Sequence, residues 1–176
     1  MTSLILTVIS ILLLGAISVA TVKYMPSWSQ SKADTSLAVR SGAAQLERAY
    51  ELYARAHGGA GAAATGAADG GLSQNFSPFL RFVPAAVPGY RWVYGVTGSG
   101  AAPGYQNTAF FCMTPITPGA VASEGKVRGA VGARGFLSEQ QAFVAPQCGV
   151  TGNANYTSFP ARMSFTYFVR HVPGQI

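Results

Sequence analysis

The chain has 176 residues, enough for one ordinary domain and an anchor but not for two full domains flanking a catalytic cleft. Its formal charge of +6 rests on 12 Lys and Arg against 6 acids, and the basic residues beyond position 58 (Arg81, Arg91, Lys126, Arg128, Arg134, Arg162, Arg170) are scattered along the sequence, which argues against a nucleic-acid partner. The hydrophobic fraction of 49% is high beside a charged fraction of 10% because residues 1–22 contain no charged side chain.

Residues 1–26 are expected to form a membrane-spanning helix. The run 3–22, SLILTVISILLLGAISVATV, supplies Leu4, Ile5, Leu6, Val8, Ile9, Ile11, Leu12, Leu13, Leu14, Ile17 and Val19. About 20 helical residues at about 1.5 Å each match a hydrocarbon core of roughly 30 Å. A cleaved secretory signal would call for basic residues ahead of a shorter apolar run, although GAISVA (15–20) resembles its small-residue cleavage site. The run therefore reads as a retained anchor in a lipid bilayer, ended or kinked at Pro26.

Residues 27–58 read as an amphipathic stalk helix, with its clearest rhythm from Thr35 to His57. Leu46, Tyr50, Tyr53 and His57 fall at i, i+4, i+7 and i+11, and Leu46, Tyr50 and Tyr53 are the expected packing residues between this helix and a sheet. Glu51 and Arg55 have the favourable i,i+4 order, and Gly58-Gly59 ends the helix. Residues 59–75 are rich in Gly and Ala and read as a flexible linker. A phosphate-binding loop would need a preceding strand and a following GK[ST], and this stretch has neither.

From 76 to 176 aromatic and β-branched residues recur between Pro and Gly, which predicts a strand-rich head. The candidate strands are 91–96 (RWVYGV), 108–114 (TAFFCMT), 141–145 (QAFVA) and 163–171 (MSFTYFVRH). In the last, Met163, Phe165, Tyr167 and Val169 alternate with Ser164, Thr166, Phe168 and Arg170, the pattern of a half-buried strand that closes the sheet. Segment 123–136, SEGKVRGAVGARGF, reads as a hairpin or an exposed basic contact loop. The expected fold class is α+β: a transmembrane and amphipathic N-terminal helix followed by a small antiparallel sheet.

Cys112 and Cys148 lack the short paired spacing of a zinc or redox site. In an oxidising compartment they would form a disulfide closing a loop of about 35 residues; in a cytosolic domain they would be two buried thiols. His57 and His171 have no carboxylate or nucleophile at a diagnostic spacing. Of the acids only Glu124 and Glu139 lie in the head, too few to suggest a catalytic pair. We therefore expect no catalytic residue, no metal and no cofactor. Tyr90, Trp92 and Tyr94, with Tyr105, could wall a ligand pocket, although such aromatic stripes more often pack a core.

With anchor, stalk and head in this order, the chain resembles type IV pilins and pilin-like proteins, above all the type IVb group. MTSLILTVISILLLG resembles a processed type IVb N-terminus, in which Met can stand first. Pro26 lies near the position where pilin helices commonly carry a proline, and AAQLERAYELYARAHGG is similar to the amphipathic half of the family's long helix. The resemblance covers residues 1–60 in character and the Cys112 and Cys148 pair in arrangement. It implies a non-enzymatic component whose partners are other pilus or envelope proteins, further copies of itself among them. The implied location is the bacterial inner membrane with the head outside the cytoplasm, or a surface filament. Ile5 stands where major pilins carry a glutamate. Within the family this points to a minor subunit, or to a bitopic accessory protein of a type IVb or conjugative pilus such as the PilM family.

Overall fold

The computed structural model describes residues 7–14 and 28–169, in which seven further elements follow a short helix α1 at 7–14. These are α2 (Trp28–Ala56), α3 (Leu72–Phe76), β1 (Tyr90–Val96), β2 (Ala109–Pro115), α4 (Glu124–Arg134), β3 (Ala142–Ala145) and β4 (Ser164–Phe168). The architecture is α+β, with a long N-terminal helix and one four-stranded antiparallel sheet in the order β1-β2-β4-β3. In α1 the side chains of Val8, Ile9, Ile11, Leu12, Leu13 and Leu14 are exposed. Leu4, Ile5, Leu6, Ile17 and Val19 of the expected span lie outside the described residues. Among the described residues no helix is long and apolar enough to cross a membrane.

The strand register aligns large apolar side chains in rows across the inner face of the sheet. Trp92 lies opposite Met113, Met113 opposite Phe165, and Phe165 opposite Val144; the next row runs Tyr94, Phe111, Tyr167, Ala142. All of these residues are buried. Helix α2 covers them with Val39, Gly42, Ala43, Leu46, Ala49 and Tyr50. A Cβ at Gly42 would come within 2.5 Å of the Trp92 ring, so this glycine lets the helix backbone settle onto the indole. Tyr50 meets Phe111 edge-on at 6.4 Å, and Tyr53, partly buried, packs on Phe76 at 5.3 Å. Fully burying one such large side chain is worth about 1.5–3 kcal/mol, so these rows dominate the stability of the head.

Three sequence expectations are corrected here. Segment 123–136 is the helix α4 rather than a hairpin, because Gly125 and Gly129 pack it against α2 while Val127 and Ala130 enter the core. Strand β4 does not close the sheet but lies between β2 and β3, and both of its faces are buried. Its outer face is covered by the loops: Thr166 Oγ1 accepts a hydrogen bond from Gly149 N at 3.1 Å, and Phe168 packs on Tyr105, Phe110 and Phe143.

The Gly/Ala stretch, expected to be a loose linker, is docked along the free edge of β1. Tyr94 N donates to Asp69 O at 2.9 Å, and the Tyr94 hydroxyl donates to Ala62 O at 2.6 Å. A Cβ at Gly70 would overlap the Tyr94 carbonyl. Leu72 and Phe76 of α3, both fully buried, fix the end of this stretch among Tyr50, Tyr53, Tyr94 and Phe111.

Candidate functional site

Helices α2 and α4 run parallel, as their contact points show. A Cβ at Gly125 would meet Trp28 O at 2.7 Å, and one turn on, a Cβ at Gly129 would meet Lys32 O and Thr35 Cβ at 2.6 Å. Small residues four apart permit this close backbone approach. The pairing brings the first turns of both helices, remote in sequence, to one end of the head.

At that end a cluster of cations and rings forms. The Arg128 guanidinium lies 5.1 Å from the Trp28 ring centre and 5.6 Å from that of Phe159. Lys32 Nζ lies 5.7 Å from the Trp28 ring, and Lys126 Nζ lies 5.6 Å from that of Tyr90 while donating to Pro88 O at 2.9 Å. Such stacking holds the cations in place without neutralising them. Glu124 pairs with Arg128 at 2.7 Å, an i,i+4 pair partly open to solvent. Beside the cluster lies a cleft of about 400 Å³ whose walls include Lys32, Val127, Arg128, Tyr156 and Phe159. Sequence reasoning missed this cluster. The signal that could have found it is the Gly125/Gly129 spacing inside a segment bearing Lys126 and Arg128.

The remaining chemically capable groups serve the fold. His57 stacks on Tyr53 at 4.0 Å, and its Nδ1 lies 2.8 Å from Tyr53 O. Asp69 accepts hydrogen bonds from Ser73 Oγ (2.6 Å), Ser73 N (2.9 Å) and Gly71 N (3.0 Å). The Ser73 hydroxyl, with these backbone N–H groups, holds the Asp69 carboxyl below the usual carboxylate range. Glu139 pairs with Arg134 at 3.8 Å and Glu51 with Arg55 at 3.9 Å. Burial raises the hydroxyl pKa of Tyr50, Tyr90 and Tyr94, and pushes Tyr156 up to about 12 with a smaller contribution from Tyr90. These hydroxyls therefore stay protonated at neutral pH. Among the described residues no group of His, Cys, Asp and Glu is placed to hold a metal ion, and His171 lies outside them.

The structure does not bring Tyr90, Trp92, Tyr94 and Tyr105 into one pocket wall. The first three are buried on the inner face of the sheet, while Tyr105 packs on the opposite face, its hydroxyl donating to Gln140 O at 2.6 Å. Cys112 and Cys148 form a disulfide with a Cα separation of 5.8 Å, linking β2 to the loop after β3. Comparison with protein-family models, with curated proteins and with solved structures finds no match to this chain.

Proposed function

We propose that the chain is a non-enzymatic, membrane-anchored component of a type IV pilus-like assembly, acting as a pilin-like subunit through helix packing. One observation carries the reading: α2 follows an uncharged apolar run in the chain and lies along a small antiparallel sheet whose second strand is tied down by a disulfide. In this reading the run 3–22 is the anchor, stored in the bilayer and then packed against related helices, and the head sits outside the cytoplasm, where a disulfide persists. Its partners are the lipid bilayer and other pilus or envelope proteins, including copies of itself. Ile5 favours a second reading, a bitopic inner-membrane accessory protein that remains in the membrane and binds envelope partners.

The experiment that tests the proposal is intact-mass measurement and fractionation of the native protein. Recovery of the chain with sheared surface filaments supports the subunit. Retention wholly in the inner membrane supports the accessory protein, and recovery from the soluble cytoplasm overturns both.

A further inference from the structure

We infer that the basic, aromatic end of the head, formed by Trp28, Lys32, Lys126, Arg128 and Phe159, docks on the anionic headgroups of the bilayer that holds the anchor. The inference rests on the anchoring reading above and adds a contact that the anchor alone does not require.

Chain length carries the first step. Trp28 stands six residues after Val22, the end of the apolar run. However those residues run, they span at most about 20 Å at roughly 3.3–3.6 Å each. The end of the head that carries Trp28 is therefore the end held near the membrane. The parallel pairing of α2 and α4 then brings Arg128 beside Lys32, and puts Lys126, in the first turn of α4 over Tyr90, at that same end. Without α4 beside α2, this end would carry Lys32 with Asp34, which lies half a turn away on the same helix.

Chemistry carries the second step. Tryptophan favours the headgroup layer because its ring is apolar and its N–H is polar. Basic side chains next to a span are drawn to anionic lipid within about a Debye length of the surface. Here both kinds of group occur in one cluster, with Trp28 stacked beneath Lys32 and Arg128, both exposed. The nearby carboxylate of Glu124 is occupied by Arg128, and the basic groups at this end, Lys32, Lys126 and Arg128, outnumber the acids, Glu124 and Asp34, so it keeps a small net positive charge. The cleft of about 400 Å³ offers a recess lined by Lys32 and Arg128 for a headgroup phosphate.

Trp28 itself reports the contact. The chain has two tryptophans, and Trp92 is 2% exposed in the core, so its fluorescence is a constant background measured with Trp28→Phe. The full chain is reconstituted into vesicles of phosphatidylcholine alone or of phosphatidylcholine with phosphatidylglycerol, and acrylamide quenching of Trp28 is measured on vesicles recovered by flotation. The expected result is quenching lowered by about half in the anionic vesicles, as for an indole drawn into the headgroup layer. The difference disappears in roughly 0.5 M salt, where the Debye length is only a few Å. It also disappears in the Lys32→Gln/Arg128→Gln double variant.

Equal quenching in the two vesicle types, whether high or low, overturns the headgroup contact and leaves the anchor standing. A difference that survives both salt and the double variant overturns the assignment to these cations. The salt comparison needs no substitution, so a variant that fails to fold does not remove the test. A chain that does not float with either vesicle overturns the anchor and this inference together.

Discussion

Replacing Gly129 with Ala should destabilise the head, whereas the same replacement at Gly132, one turn along the same helix, should stabilise it. Two opposing effects decide the sign. Alanine favours a helix over glycine by about 0.8–1 kcal/mol. At Gly132 a Cβ meets nothing within 4 Å, so that gain is realised. At Gly129 the Cβ would lie 2.6 Å from Lys32 O and Thr35 Cβ, and a backbone carbonyl cannot swing aside as the tip of a side chain can. Forcing α2 and α4 apart costs about 1–3 kcal/mol on the scale of overpacked cores. Any separation also leaves Trp28 and Lys32 less well placed against Arg128. The net expectation is a loss of up to about 2 kcal/mol for Gly129→Ala and a gain of up to about 1 kcal/mol for Gly132→Ala. At about 2–4 °C per kcal/mol, the two variants should differ in Tm by several degrees, with opposite signs relative to wild type. Thermal unfolding of the detergent-solubilised chain followed by circular dichroism measures this directly. Shifts of the same sign and size in both variants would refute the parallel, glycine-mediated pairing of the helices.

Removing the disulfide by Cys112→Ala/Cys148→Ala should cost about 3–4 kcal/mol in the loop-entropy account, read as a lower urea midpoint that reductant no longer changes. Phe76→Ala, which empties the junction of Tyr50, Tyr53, Tyr94 and Phe111, should cost about 3–5 kcal/mol. It should also release the docked Gly/Ala stretch, seen as new protease cleavage between residues 59 and 71; unchanged cleavage would contradict the docking. For Asp69 the folded carboxyl titrates below its unfolded value. Its contribution is therefore complete above the ordinary carboxylate pKa of about 3.9 and is lost as pH falls through the lower folded value. Tm measured from pH 2 to 6 should show an acid limb that is shallower in Asp69→Asn than in wild type.

Where local pattern and tertiary environment agree, the fold could be read from the residues. The first three strands emerged within a residue or two because their aromatic and β-branched runs are bounded by Pro and Gly, as in YRWVYGV and AFFCMTP, whereas β4 stops at Phe168 and the expected strand ran on to 171. The middle of α2 emerged because Leu46, Tyr50 and Tyr53 keep helical spacing. Its first two turns, WSQSKAD, carry no apolar stripe and owe their order to α4, whose own glycines resemble a loop until their partner is known. The Gly/Ala stretch looked flexible by composition, but its order comes from Tyr94, Leu72 and Phe76, outside or at the end of the stretch. Strand β4 looked half-exposed because Ser164 and Thr166 are polar. Both are buried and hydrogen-bonded, Ser164 with the Thr114 hydroxyl at 3.1 Å and Thr166 accepting from Gly149 N at 3.1 Å. The basic cluster was illegible for a related reason: Lys32 and Arg128 become neighbours only through the helix pair.

The central claim is that the apolar run holds this head to a membrane from outside the cytoplasm, and the measurement that tests it most directly is protease access in spheroplasts. The account predicts that added protease removes the head from intact spheroplasts and leaves a fragment carrying residues 3–22 that resists carbonate extraction. A head protected until the spheroplasts are lysed, or a chain stripped from the membrane by carbonate, would contradict it.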